Sequence, residues 1–328
     1  MYNIRKNAKA YIVYYDTAQA VYRRYQVEIY NDITVSQTFD EQGYKRKTLH
    51  SLISVHEDAT VNSANPANFS FTTPLLSIAE APIFLSLGGD CSSGTLNSFD
   101  LYVESDNIIY KLTKCVIEQM NYNIQRTSIL TVSISGTGSK LEKFGNVGSV
   151  VIPGTPLTYS TKSYIPIDKL SATIDSTLLD NITSLNIDLK NDILWYPSKT
   201  INEAIQGTTM YPTAYALQGR AFSGSITQFL TSDNVDTLSD TSTTSQVIIE
   251  IYSNPYSTTN AILEFNLPST VFTRRLSIDD LISRAYDFRL NTNSGLIAPE
   301  YGQVSVAILD RAGSIIMDRF NDNILRRS

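Results

Sequence analysis

The side chains that could do chemistry are few in this chain, and their spacing matches no known catalytic or metal-binding pattern. Histidine, the usual general base and zinc ligand, occurs only at His50 and His56, and a metal site would need further ligands at converging positions. Asp233, Asp236 and Asp240 share one Ser- and Thr-rich stretch, but their spacing differs from that of a calcium-binding loop. We therefore expect no catalytic residues, no metal and no cofactor, and the chain is not predicted to be an enzyme.

Two further segments could carry chemistry but are better explained as structure. Gly136-Thr-Gly-Ser-Lys140 has the composition of a phosphate-binding loop, but that motif requires Lys before Ser or Thr, and here the order is reversed. The segment is therefore predicted to be the end of a strand. Asp279-Asp280 is interpreted as a turn rather than as a carboxylate pair for glycoside cleavage.

The composition indicates a β-rich chain with room for two domains. It has 328 residues, of which 42% are hydrophobic, so a core can be buried. The 20 Tyr residues and the many Ser and Thr residues fit pleated surfaces better than helices. The net charge is −6, and the short basic clusters are scattered, so the basic stripe of a protein that grips nucleic acid is missing.

Cysteine content and hydropathy indicate where the chain assembles. Cys91 and Cys115 are too few for a disulfide framework, so we expect assembly in a reducing cytoplasm. No apolar run approaches the length needed to span a bilayer, and the N-terminus lacks the apolar core of a signal peptide. Membrane insertion is therefore not expected.

The organising stretch of the sequence is 115–138, which has a counterpart at 264–294. Apolar and hydroxyl residues alternate in the first, as in a half-buried strand. We expect an apolar face that packs inside and a polar face directed toward a lumen or a neighbouring module. The predicted buried set is Leu130, Val132, Ile134, Ile282, Tyr286, Phe288 and Leu290, and the predicted polar set is Thr131, Ser133, Ser135, Asp287 and Arg289.

One local signal conflicts with this interpretation. Ser277-Ile-Asp-Asp280 has the spacing of a capping box, and the apolar residues that follow fit a helix. Its counterpart in the first stretch has the alternation of a strand. Because the two stretches are interpreted as copies, we expect residues 281–290 to form a strand.

The order of predicted elements recurs about 150 residues later, which indicates a duplicated module. Ser225-Ile-Thr corresponds to Ser70-Phe-Thr, and Val247-Ile-Ile corresponds to Phe99-Asp-Leu. Short helices are expected near 49–56 and after Thr200. The predicted organisation is module 1 at 1–148, a Gly- and Pro-rich linker at 149–180, module 2 at 181–302, and a C-terminal hairpin or tail at 303–328.

This order of elements resembles the tail-tube module of bacteriophages and related contractile systems. The resemblance is carried by 185–194, Gly224-Ser-Ile-Thr, 247–252 and 267–290 in the second copy, and by 27–33, 69–72 and 114–138 in the first. It implies a mainly β fold of two tandem β-sandwich or barrel modules with short helices. A chain with two modules departs from the single-module tube subunit.

The resemblance also implies a function. Tube modules join their neighbours into rings of six around a lumen, so a two-module chain would close as a trimer, with a hexamer possible. The expected partners are further copies, other tail-tube, baseplate or hub proteins, and DNA only in transit through the lumen. The chain would be a structural ring protein of a phage tail virion, assembled in the bacterial host cytoplasm.

A second hypothesis from a different class stays open at this point. The chain could be a β-sandwich adhesin or baseplate protein that binds a carbohydrate or a receptor. Aromatic rings stack on sugars, and four rings are close in sequence, namely Trp195, Tyr196, Tyr211 and Tyr215. The same rings could instead pack in a core or between subunits.

Overall fold

A computed structural model gives the fold of the chain. It describes residues 8–17, 19–30, 33–46, 56–74, 81–84, 87, 96–125, 128–157, 167, 169–197, 211–231, 245–252, 261, 263–278, 281–290, 308–309 and 315–316. The predicted mainly β class is confirmed, since nearly all described elements are strands.

The first half of the chain contains ten strands and one short helix among the described residues. They are β1 (Lys9–Asp16), β2 (Val21–Val27), β3 (Thr34–Ser36), β4 (Phe39–Arg46), β5 (His56–Ala64), β6 (Ala67–Pro74), α1 (Ala81–Phe84), β7 (Phe99–Ser105), β8 (Ile108–Gln125), β9 (Thr131–Gly138) and β10 (Lys140–Asn146).

The rest of the described chain consists of strands. They are β11 (Thr155–Pro156), β12 (Lys169–Ile174), β13 (Thr177–Leu178), β14 (Ile182–Pro197), β15 (Pro212–Phe229), β16 (Ser245–Tyr252), β17 (Leu263–Ile278), β18 (Ile282–Leu290), β19 (Ile308–Leu309) and β20 (Ile315–Ile316). β18 confirms that 281–290 forms a strand and that the capping-box signal is overridden.

Sixteen of the described strands belong to one branched sheet, and the pairs β4–β5 and β19–β20 stand apart from it. In the first half the pairing order is β2-β1-β7-β8-β9-β6-β3. In the second half it is β13-β12-β16-β17-β18-β15-β14. The two orders are the same, strand for strand. In the described part of the chain the sheet stays open, so the barrel alternative is not realised there.

The two halves join edge to edge through β8 and β14. β8 is 18 residues long and its first part pairs with β7 and β10. Lys114, at a φ of +50°, and a register shift between Ile117 and Gln119 then redirect the strand. Its last part pairs with β9 on one side and with β14 on the other. A single strand therefore carries the hydrogen bonds of both halves.

Sequence and burial together align the positions of the two halves. The shared Ser-x-Thr pattern makes Ser70 of β6 equivalent to Ser225 of β15, and it makes buried Thr73 equivalent to buried Gln228. Starting from these two strands, the pairing registers align each remaining strand of the first half with its counterpart in the second. Ile134 then corresponds to Tyr286, since both lie opposite the residue that follows the shared serine.

Large and small side chains exchange places at one pair of aligned positions. Phe69 in β6 lies opposite Gly136 in β9, whereas Gly224 in β15 lies opposite Phe288 in β18. A Cβ on Gly136 would lie 2.8 Å from Phe69 Cζ and would collide with a backbone oxygen of β8. A Cβ on Gly224 would collide with the Phe288 ring. Each glycine therefore provides the space that its aromatic partner fills.

One hydrophobic core extends through both halves. It includes Phe69 and Phe99, which are not paired as strands but meet ring to edge at 5.7 Å, and it includes Phe265 of β17. The predicted buried residues Leu130, Val132 and Ile134 lie within it, as do Tyr286, Phe288 and Leu290. The prediction for Ile282 is wrong, because 47% of its surface is exposed at the outer end of β18.

Other expectations have different outcomes. The helix expected after Thr200 lies outside the described residues, as does 49–55 of the helix expected near 49–56, whose last residue, His56, instead begins β5. The described helix is α1. Strands β19 and β20 pair antiparallel within the predicted C-terminal hairpin. The span 149–180 contains β11, β12 and β13, which pair with β2 and β16. The predicted module boundaries themselves stay predictions.

Candidate functional site: a polar sheet face across the junction

The candidate functional surface is the outward face of the sheet, opposite the core. Alternation places one side chain in two on this face, because strand side chains point to opposite sides in turn. One row runs straight across six strands and both halves. From β6 to β18 it consists of Thr72, Ser133, Asn121, Asp188, Ser223 and Arg289, each directly opposite the next.

A second row runs beside the first. It consists of Asn123, Asn186, Ser225, Asp287 and Thr273, from β8 to β17. Eight of the eleven side chains in the two rows are hydroxyl or carboxamide groups, and the other three, Asp188, Asp287 and Arg289, are charged. Large apolar side chains of the same strands point to the other side and are buried in the core.

Hydrogen bonds between side chains tie this face together across the junction of the halves. Gln119 Nε2 donates to Asp188 Oδ1 at 2.7 Å, and Asn121 Nδ2 donates to Asn186 Oδ1 at 3.0 Å. Farther into the first half, the hydroxyl oxygens of Thr72 and Ser133 lie 2.9 Å apart. The junction between β8 and β14 is therefore held by side chains as well as by backbone pairing.

Charges on this face are few, and several are paired. Lys190 Nζ lies 3.2 Å from Asp188 Oδ2. Arg275 donates to both carboxylate oxygens of Asp287, at 2.7 and 3.0 Å, and this hydrogen bond raises the pKa of Arg275. Thr137 Oγ1 donates to Glu118 Oε1 at 2.6 Å. The result is a hydrogen-bonding surface with nearly balanced charge.

The five residues predicted from sequence to line a lumen or an interface all lie on the strands of this face. Ser133 and Arg289 belong to the first row, and Asp287 belongs to the second. Thr131 and Ser135 flank Ser133 on β9, and Ser135 takes the position of Asp287 under the alignment of the halves. That this face borders a lumen or another subunit stays a prediction.

Several functional residues of the face were missed in the sequence. Asn121, Asn186 and Asp188 carry the contacts across the junction. Alternation in 119–125 and 184–190 is a signal for strands with one polar face. It does not reveal that these two strands pair with each other, because they are about 65 residues apart in the chain.

The residues considered for chemistry are placed as follows. Asp233, Asp236, Asp240, Asp279 and Asp280 lie outside the described residues, as does His50. His56 begins β5. The glycine-rich segment is the end of β9 and the start of β10, as predicted.

Two chemical features of the described residues can be added. No group of three or more His, Cys, Asp or Glu side chains in the described part of the chain could hold a metal ion. Cys115 is completely buried, and this burial raises the pKa of its thiol well above the usual range. A thiol held neutral in this way is a poor nucleophile.

The aromatic residues of the carbohydrate hypothesis are largely engaged in packing between the halves. Trp195 and Tyr215 meet at 5.4 Å, and Trp195 Nε1 donates to Thr137 Oγ1 at 2.8 Å. The Tyr215 hydroxyl donates to the Leu96 carbonyl oxygen at 2.9 Å. Tyr211 meets Phe39 at 6.4 Å, and Tyr196 is 45% exposed. The four rings therefore do not form one open stacking surface.

Three of these rings, Trp195, Tyr196 and Tyr215, lie on an arm that the second half extends over the first, and Tyr211 directly precedes the second strand of that arm. The arm is the far end of the β14–β15 hairpin, 191–197 with 212–219. Asn191 is buried and its Nδ2 donates to the Ile117 carbonyl oxygen at 2.8 Å. Lys114 Nζ donates to the Thr213 carbonyl oxygen at 3.0 Å. The arm fixes the second half on the first at several points.

The fold and this face define a mainly β protein made of two equivalent sheet units joined edge to edge. The family model described as the Bacteriophage Baseplate Tube Protein Family matches residues 1–305, and the chain belongs to that family. It is therefore a phage virion component of the baseplate tube type. No curated protein matches the chain. No described helix is long and apolar enough to cross a membrane.

Proposed function

We propose that this baseplate tube protein forms a closed ring whose inner wall is the polar sheet face, and that the phage genome passes through that ring. The observation that carries the proposal is the junction of β8 with β14, which joins two equivalent sheet units within one chain. Repeating the same junction between chains extends the sheet. Closure of a sheet into a ring removes its edges, which are otherwise open to wrong pairing.

A trimer is the favoured ring. Two units per chain give six units from three chains, with pseudo-sixfold symmetry. A hexamer of chains is the alternative, with twelve units. The partners of the ring are further tube, baseplate or hub proteins that stack above and below it, and its role is structural rather than catalytic.

The polar face is suited to a conduit for DNA. Phosphates bind tightly to surfaces with many unpaired Lys and Arg. Here Lys190 and Arg275 are paired with carboxylates, and Arg289 of the first row adds one exposed cation. Short hydroxyl and carboxamide groups offer weak contacts that exchange readily with water. The duplex would therefore slide because the wall has little net charge, and repulsion by unpaired carboxylates is not required.

Native mass spectrometry of the purified protein, with negative-stain electron microscopy, tests the proposal. We expect a species of about three times the 36.5 kDa chain mass and rings with an axial hole. A hexamer would contradict the pseudo-sixfold arrangement but would agree with the proposed ring. A chain that stays monomeric at every concentration would overturn the ring itself.

A further inference from the structure

The outer end of the second half carries a cluster of exposed apolar side chains. Leu276 and Ile278 of β17 are 59% and 72% exposed, Ile282 at the start of β18 is 47% exposed, and Leu281 just before that strand is 61% exposed. We call these four residues the β17 end. Leu276, Ile278 and Ile282 lie on the core side of the sheet, where Ile278 is directly opposite Ile282 and Leu276 is opposite Arg284. Exposed apolar side chains that adjoin in this way mark a protein contact.

The equivalent residues of the first half are buried. Under the alignment of the halves, Leu276 takes the position of Tyr122, Ile278 that of Ile124, and Ile282 that of Leu130. In the first half these three residues are 4%, 1% and 0% exposed.

The second half of the same chain covers Tyr122 and Ile124. These two residues lie opposite Ile187 and Leu185 of β14, and the Tyr122 ring meets Phe265 of β17 at 5.7 Å. The β17 end therefore resembles one side of such a junction, and among the described strands none pairs with its free edge.

The opposite end of the sheet has the shape of that covering unit. β3 pairs with β6 as β14 pairs with β15, so Val35 takes the position of Ile187 and Ile33 takes that of Leu185. β3 is the last strand of its branch in the part of the chain that the structure describes. Its two outward residues, Thr34 and Ser36, are exposed.

We infer that the β17 end is the docking surface for β3 of a second copy of this chain, in the register of the β8–β14 junction. This inference rests on the proposed ring and specifies how neighbouring chains meet. Val35 of the second copy lies opposite Leu276, and its Ile33 lies opposite Ile278, on the core side. On the polar side its Ser36 lies opposite Arg275.

The two ends match in their alternation, which supports the inferred register. Val35 of β3 and Ile33 just before it each meet an apolar residue of β17, and the hydroxyl residues Thr34 and Ser36 meet Ser277 and Arg275 on the other face. A shift of one residue would place Val35 against Arg275 and reverse every side chain. Alternation therefore excludes every odd shift, and the β8–β14 junction serves as the template that sets the register among the remaining ones. In this register the polar face continues from one chain into the next.

Charge substitution at the β17 end is the first test. Leu276→Asp and Ile278→Asp should fold normally, since these side chains meet water in the single chain, and should lose the ring, with at least about a tenfold weaker association. Val151→Asp is the matched control, because Val151 is 83% exposed and lies away from the β17 end. The readouts are native mass spectrometry for assembly and circular dichroism for folding.

Cysteine pairing is the second test and reports the register. Val35→Cys with Leu276→Cys should oxidise into covalent multimers of the assembled protein, whereas Ser36→Cys with Leu276→Cys should not, because those side chains point to opposite faces. Rings that form normally in Leu276→Asp, or that cross-link only in the Ser36 pair, would overturn the docking surface or its register and leave the ring intact. A wild-type chain that never assembles would overturn both proposals.

Discussion

At the scale of single residues, the exchanged Phe and Gly positions show how two diverged copies keep the same packing. The volume of one phenyl ring is present in each half, on β6 in the first and on β18 in the second. Neither glycine needs an unusual backbone angle to explain it. Its role is to leave space, since protein cores are filled at nearly crystalline density.

The glycine at 136 should therefore tolerate no side chain. We expect Gly136→Ala to lower the free energy of unfolding by about 2 kcal/mol or more, because the added methyl group collides with the Val116 carbonyl oxygen and presses on the Phe69 ring. Chemical denaturation monitored by tryptophan fluorescence and circular dichroism measures this change.

Gly219 provides the control, because a Cβ there would meet nothing within 4 Å. Gly219→Ala should be neutral or slightly stabilising, since alanine restricts the unfolded chain more than glycine does. Equal destabilisation by both substitutions would show that space at Gly136 is not what matters.

At the scale of elements, the arm of the β14–β15 hairpin determines how firmly the two halves are joined. Asn191 is its most buried polar anchor, with 5% exposure and a hydrogen bond to the Ile117 carbonyl oxygen. Asn191→Ala should loosen the arm by about 1–3 kcal/mol, because a buried backbone oxygen loses its donor. Hydrogen exchange of the amides in 193–196 and 213–217 should become faster.

The neighbouring residue makes a matched control for this prediction. Asp192 is exposed, so Asp192→Ala should leave exchange in the arm unchanged, and β1–β2 gives an internal reference in both variants. Protection of the arm that is the same in Asn191→Ala as in the wild type would contradict the assigned anchor.

The type of most elements could be predicted from the sequence, whereas the pairing of strands with one another could not. Alternation and β-forming composition identified the strands, and the internal repeat correctly overrode the capping box before β18. Local patterns encode which residues are buried within a strand. They failed at Ile282, because alternation assigns a residue to a face but does not show that the outer end of β18 is exposed.

The same limit affects the alignment of the two copies. The triplet Asn-Asp-Ile occurs at 31–33 and again at 191–193, and an alignment on it would match Asn191 with Asn31, whereas the strand registers match Leu185 with Ile33. A three-residue identity carries less information than a hydrogen-bonded register across several strands. The β8–β14 junction, which forms the centre of the candidate site, depended on such non-local pairing and could not be read from either strand alone.

At the scale of the whole molecule, the halves are predicted to unfold as one unit. β8 supplies backbone hydrogen bonds to both, and one core cluster contains Tyr122, Ile187 and Phe265 from the two sides of the junction. Loss of one half would expose these residues of the other. Cooperative loss of structure is the expected result.

Calorimetry can test this on the Leu276→Asp variant, whose assembly should be blocked. We expect one thermal transition with calorimetric and van't Hoff enthalpies in agreement. Two resolved transitions would show that each half is stable without the other. The wild-type protein should melt at a higher temperature that depends on concentration, because association stabilises the folded chain.

The exchanged Phe and Gly positions also affect the fidelity of folding. Strands β6 and β15 offer similar edges, so β9 and β18 each have a wrong partner available. Pairing β9 with β15 would set Gly136 against Gly224 and leave an empty space, while pairing β18 with β6 would crowd Phe288 against Phe69. Both errors lose packing energy. The pairs β6–β9 and β15–β18 therefore each pack well only with the correct partner strand. This disfavours the exchange of strands between the halves of one chain, or between neighbouring copies during virion assembly.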